Sequence, residues 1–130
     1  MALENDRLQA AVELFSWAGT AVELAIGDRD DVAAALSREG VSVLATDIEE
    51  QILSESVRFV QDDLLNPVLP LYAEADVLYA RRLPEELQPA AVRIARHSEA
   101  PLYFTTLGFE VPTVRVERVQ TAAGIWYRSA

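Results

Sequence analysis

The chain has 130 residues, 51% of them hydrophobic and 25% charged, with 21 acidic against 11 basic side chains and a formal net charge of −10. That length fits a single domain over residues 1–130 with one core, and the lack of cysteine removes disulfides, thiolate metal sites and cysteine nucleophiles together. No window reaches the roughly eighteen uninterrupted apolar residues of a membrane span, and no basic start leads into an apolar stretch as in a secretory signal, so a soluble, cytoplasmic protein is expected.

Leu8, Ala11, Val12 and Phe15 recur at helical spacing and predict an amphipathic helix over about residues 4–17, stopped near Gly19. Val22, Leu24 and Ile26 fall into a first strand. Val32, Ala33 and Leu36 make a short helix that ends before Gly40, and Val41 to Thr46 form a second strand. Val57, Phe59 and Val60 supply a third strand and Asp76 to Ala80 a fourth, with Pro67 and Pro70 punctuating the segment between them. Pro84 suits the first position of a helix whose first turn holds Glu85 and Glu86. Pro89 would clash inside that helix, so the alternative is a separate turn over 84–88 and a main helix starting at Pro89. Leu102, Phe104 and Thr106 outline a fifth strand, and the alternation over Val114–Val119 and Ile125–Arg128 around Ala123-Gly124 reads as an antiparallel hairpin. The expected fold is α/β: a Rossmann-like, doubly wound, mostly parallel sheet of about five strands, with the C-terminal hairpin added at one edge.

In open parallel sheets, ligands bind beyond the carboxyl ends of the strands where strand order reverses. Acids fall at these ends: Glu23 in the first strand, Asp47 closing the second, Asp62 and Asp63 closing the third. Asp47 follows Gly27 by twenty residues, the separation at which an acid can accept hydrogen bonds from both ribose hydroxyls of a nucleoside. Asp62 or Asp63 is then placed to meet an exocyclic amine of the base. Taken singly, each acid could equally be a solvated strand end; their joint spacing favours a site. A dinucleotide needs glycines at three places in the first turn, and Ile26-Gly27-Asp28-Arg29-Asp30-Asp31 supplies one. Carboxylates beside a pyrophosphate are costly, whereas a sulfonium and an ammonium group favour them. The charge pattern therefore prefers S-adenosylmethionine.

These residues resemble the class I methyltransferases. Val22-Glu-Leu-Ala-Ile-Gly27 is similar to the first motif of that family, with Glu23 as its leading acid, Ala25 where a glycine is usual and Gly27 at the central glycine. Asp47 matches the ribose-binding acid, and in Phe59-Val-Gln-Asp-Asp63 the resemblance assigns Asp63 to the adenine. The whole chain, from about residue 20 to 118, further resembles a small uncharacterised family of archaeal, particularly haloarchaeal, proteins. Asp31-Val-Ala-Ala-Ala-Leu36, Ala45-Thr-Asp47, Val57-Arg-Phe-Val60, Leu78-Tyr-Ala80, Pro84-Glu-Glu-Leu87 and Phe104-Thr-Thr-Leu-Gly108 carry that likeness. It implies a methyltransferase-shaped fold and brings no reaction with it. Two first-motif glycines are replaced, by Ala25 and Arg29. The segment Tyr79-Ala-Arg-Arg-Leu-Pro84 lacks the Asn-Pro-Pro-Tyr-like motif of amino-group methylation. Two readings stay open: an adenosine-ligand protein, with methyl transfer as its reaction, or a non-catalytic interaction or regulatory protein on a degenerate scaffold.

All 11 basic residues are arginine. Acid enrichment with lysine loss is expected of a protein working in molar salt, where self-repulsion is screened over about 3 Å, although a GC-rich genome also writes arginine for lysine. So acidic a surface repels phosphate backbones, which argues against direct nucleic-acid binding unless Arg81 and Arg82 lie in a local groove. As the chain's one histidine, near a helix end, His97 reads as a solvated residue. With no cysteine beside it, no transition-metal site is expected. The acids at 28, 30 and 31 read as a helix N-terminus stabilised by its dipole. Arg81 and Arg82 read either as an anion-binding fork or as surface arginines paired with Glu85 or Glu86.

Overall fold

A computed structural model describes residues 2–129 of the chain. Seven strands form one sheet: β1 (Thr20–Glu23), β2 (Ser42–Asp47), β3 (Arg58–Gln61), β4 (Val77–Leu83), β5 (Leu102–Thr106), β6 (Val116–Thr121) and β7 (Gly124–Ser129), ordered β3-β2-β1-β4-β5-β7-β6. The first five are parallel; β7 runs antiparallel to both β5 and β6. Among the described residues no helix is long and apolar enough to cross a membrane.

Strand side chains alternate between two apolar layers, as the period of two requires. Ala21, Val43, Ala45, Val77 and Tyr79 pack under helices α1 (Ala2–Phe15) and α2 (Asp31–Arg38). Val22, Leu44, Leu78, Ala80 and Phe104 pack under α3 (Gln88–Ser98) and Tyr72. Phe15 anchors the first layer, stacked on Tyr79 at a ring separation of 4.6 Å and meeting Trp126 edge-on at 5.2 Å. Trp126 and Tyr127 therefore serve packing, since Tyr127 in turn lies 5.8 Å from the Phe104 ring. The hairpin is tied into both layers by these two side chains.

Three local features differ from the sequence expectation. The first strand stops at Glu23, because Ala25 (φ 52°) and Gly27 (φ 64°) turn the backbone left-handed on either side of Ile26, whose N–H still donates to the Thr46 carbonyl. Arg81 and Arg82 belong to β4 itself, at a register shift between Ala80 and Leu83 where Arg82 has φ 55°. Pro84 is extended and precedes a 3-10 turn over Glu85–Leu87; Pro89 is the second residue of α3, where its missing N–H removes no helical bond. The alternative start at Pro89 was thus the better one. No helix joins β2 to β3, and β3 and β4 are linked by an irregular segment containing a 3-10 turn at Leu69–Tyr72.

This topology sets the site. From β1 the chain builds outward through β2 and β3, then returns to place β4 on the other side of β1. Connections leave in opposite directions at that point, which opens a crevice at the carboxyl ends of β1 and β4.

Candidate functional site

The turn after β1 and the end of β2 are joined directly. The Gly27 N–H donates to Asp47 Oδ2 at 2.8 Å, and the Glu49 N–H donates to Asp47 Oδ1 at 2.9 Å. Both carboxylate oxygens are thereby oriented, and each keeps a lone pair for a further donor. A side chain added at Gly27 would meet nothing within 4 Å, so the backbone there faces open space that a ligand could fill. Ala25 keeps the left-handed geometry that a glycine would adopt most easily.

Glu23 is 1% exposed at the end of β1. Burial pushes its carboxyl up to about 7, against the opposing pull of the Arg81 cation. Arg81 Nε lies 3.4 Å from Glu23 Oε2, while Nη2 lies 2.8 Å from Asp31 Oδ1 and donates to the Arg29 carbonyl at 2.6 Å. Asp31 is held below the ordinary aspartate range: burial opposes this, and the Arg81 guanidinium outweighs it. The Tyr79 hydroxyl is buried beside the Glu23 carboxyl and lowers it as a neighbouring donor, a smaller effect than the burial that raises it. Arg81 therefore pairs with neither Glu85 nor Glu86, as its surface reading supposed, but clamps the Gly27 turn from β4. The acidic turn is accordingly less negative than the sequence suggests: the single Arg81 charge offsets one of the two carboxylates it touches, and burial holds Glu23 toward its protonated form.

The acids after β3 divide the labour differently. Asp62 is buried and accepts the Tyr72 hydroxyl and the Val68 N–H, so it is committed to the fold. Asp63 is half-buried and accepts the Leu65 N–H through Oδ1 at 2.9 Å. Gly27 and Asp47 are in contact and Glu23 lies at the base of the same turn. Asp63 sits two residues past Gln61, the register partner of Asp47, with no direct bond to the other three.

Beyond the ends of β4 and β5 a cavity of about 580 Å³ opens beside the same turn. Gly27, Arg29, Arg81, Thr106 and Trp126 are among its walls. Asp47 and Asp63 are not among its walls.

Comparison with known proteins matches residues 7–129 to the uncharacterised protein family UPF0146. The chain belongs to this family. A UPF0146 protein of Halobacterium salinarum is 49% identical over 102 residues, 78% of this chain and 79% of that one. Among solved structures, a putative S-adenosyl-L-methionine-dependent methyltransferase of Methanococcus maripaludis has TM-score 0.66 at 13% identity, covering 99% of this chain and 85% of that one. An RNA methyltransferase of Salinibacter ruber in complex with S-adenosyl-L-homocysteine gives 0.62 at 19% identity, over 95% and 88%. The N-terminal domain of EvdMO1 with SAH bound gives 0.60 at 18% identity, and this chain spans 64% of that one's length. The Rossmann-like fold is shared with these class I methyltransferases; their ligands are their own.

Two features of this UPF0146 chain were missed from sequence. Arg81 is the partner of Glu23 across 58 positions, a pairing no local pattern reveals. Ile48 is 63% exposed directly after Asp47, with its carbonyl accepting the Gln61 side-chain N–H at 2.8 Å.

Proposed function

We propose that the chain binds S-adenosylmethionine or a related adenosine ligand at the carboxyl ends of β1, β2 and β3. The observation that carries this reading is the Gly27–Asp47 contact, with open space above Gly27 and both Asp47 oxygens oriented. Asp47 would accept from the ribose hydroxyls, Asp63 through its second oxygen from the adenine amine, and Ile48 would cover the base. Gly27 would shape the methionine end, with Glu23 buried behind the turn between Tyr79 and Arg81 as its support. The donor set fits this ligand better than a dinucleotide, for which the turn retains a single glycine and Asp28 still faces solvent. When bound, S-adenosylmethionine supplies an electrophilic methyl group on sulfur. The chain's part in methyl transfer would then be to position an acceptor in the adjoining cavity and to exclude water.

Titration calorimetry with S-adenosylhomocysteine in molar salt tests the binding. Saturable heat is expected, and Asp47→Asn, which leaves an acceptor for the Gly27 N–H, should weaken affinity at least about tenfold by losing charge-assisted bonds to the ribose. No heat and no thermal shift at millimolar ligand would remove the proposal. That result would favour the second reading, a non-catalytic interaction protein, which the Arg81 cation already seated against Glu23 and Asp31 supports.

A further inference from the structure

The cavity beyond β4 and β5 gathers several cations within an acidic chain. Arg7, Arg29, Arg81 and Arg82 line it, four of the 11 basic residues of a chain whose net charge is −10. Asp28 and Asp31 are the acids in its walls, and Asp31 is already paired with Arg81. Arg29 and Arg82 are exposed, with no carboxylate within 4 Å among the described residues.

Arg81 is the organised member of this group. Glu23, Asp31 and the Arg29 carbonyl hold its Nε and Nη2 and fix the guanidinium plane, while no described residue bonds Nη1. With Nε and Nη2 engaged by its own partners, Arg81 offers an oxyanion the two N–H donors of Nη1, held in place in advance, while Arg29 and Arg82 supply the unpaired charge. Thr106 contributes a hydroxyl to the same wall and Trp126 an apolar surface. The volume, about 580 Å³, lies in the range of small-molecule sites. An extended polyanion is a poor fit, because the acidic surface outside the cavity repels it.

We infer that this cavity binds a small-molecule oxyanion, a compound carrying a carboxylate or phosphate group that Arg29, Arg81 and Arg82 grip beside the Gly27 turn. Its identity as the methyl acceptor rests on the adenosine-ligand reading above; anion binding itself does not.

The test follows ¹H–¹⁵N correlation spectra of the full chain at constant ionic strength, with chloride replaced by phosphate or, separately, by succinate. Saturable shifts are expected at Gly27, Thr106 and the Trp126 indole N–H. The exposed double variant Arg29→Gln/Arg82→Gln should fold normally and weaken binding at least about tenfold. Saturation by phosphate alone or by succinate alone supports the site and names the group it prefers. Linear shifts equal to those from chloride, or unchanged affinity in the double variant, overturn it. A single-stranded RNA oligonucleotide binding more tightly than either anion also overturns it. S-adenosylhomocysteine is titrated in parallel: anion binding without it leaves this site standing and removes the adenosine reading, and the converse does the reverse.

Discussion

Glu23 is the residue whose chemistry is furthest from its sequence appearance. Its carboxyl, raised to about 7 by burial, binds a proton in the folded state over a range where the unfolded chain, at the ordinary glutamate value near 4.5, has released it. The folded protein then holds more protons between those values, so this group makes stability fall as pH rises from about 4.5 to 7 and plateau above, by at most about 3 kcal/mol. Glu23→Gln should flatten that slope in urea denaturation measured across the window; a slope equal to that of the parent would reject the assignment. Asp31 acts in the opposite sense and elsewhere: its depressed value contributes stability that is lost only as pH falls below the ordinary aspartate range. Ala25 makes a second residue-level prediction. Its φ of 52° costs an L-residue on the order of 1 kcal/mol, partly offset by the extra freedom glycine has when unfolded. Ala25→Gly should therefore leave stability unchanged or raise it by up to about 1 kcal/mol, and a loss would show that the methyl group packs favourably.

At the scale of elements, the joint between β4 and α3 depends on one buried amide. Gln88 is fully buried at the start of α3, and its Oε1 accepts the Thr113 N–H at 2.8 Å and the Thr113 hydroxyl at 3.1 Å. Its Nε2 donates to the Leu83 carbonyl, so one side chain ties β4, α3 and the segment before β6. Gln88→Leu keeps the volume and strands these partners, which should cost about 1–3 kcal/mol; a urea midpoint within error of the parent would mean water replaces them. The same joint explains Pro84 and Pro89. With residues 85–87 taken up by a 3-10 turn, each proline sits where no helical N–H is needed.

For the whole molecule, charge distribution is the deciding property. A net charge of −10 with no lysine should make the thermal midpoint climb by several degrees between about 0.1 and 2 M potassium chloride, since salt screens self-repulsion. Scanning calorimetry that finds equal midpoints would reduce the composition to genome bias. Clustering of four arginines around one cavity within so acidic a chain places attraction for small anions at the crevice and repulsion elsewhere.

Periodicity and punctuation alone determined that five parallel strands alternate with covering segments and that a hairpin ends the chain, because those signals are local and repeat at 2.0 or 3.6 residues. The Gly27 and Asp47 spacing was equally legible, since one βαβ unit brings its own turn and its own acid together. The tertiary structure decided what no local pattern carries: that Arg81 crosses from β4 to clamp Glu23 and Asp31, that Asp62 belongs to the core while Asp63 stays half-buried, and that four of the 11 arginines line one cavity. Each is a contact between segments far apart in the chain. Strand order, set by how β1 is flanked by β2 and β4, is the physical cause that brings them together.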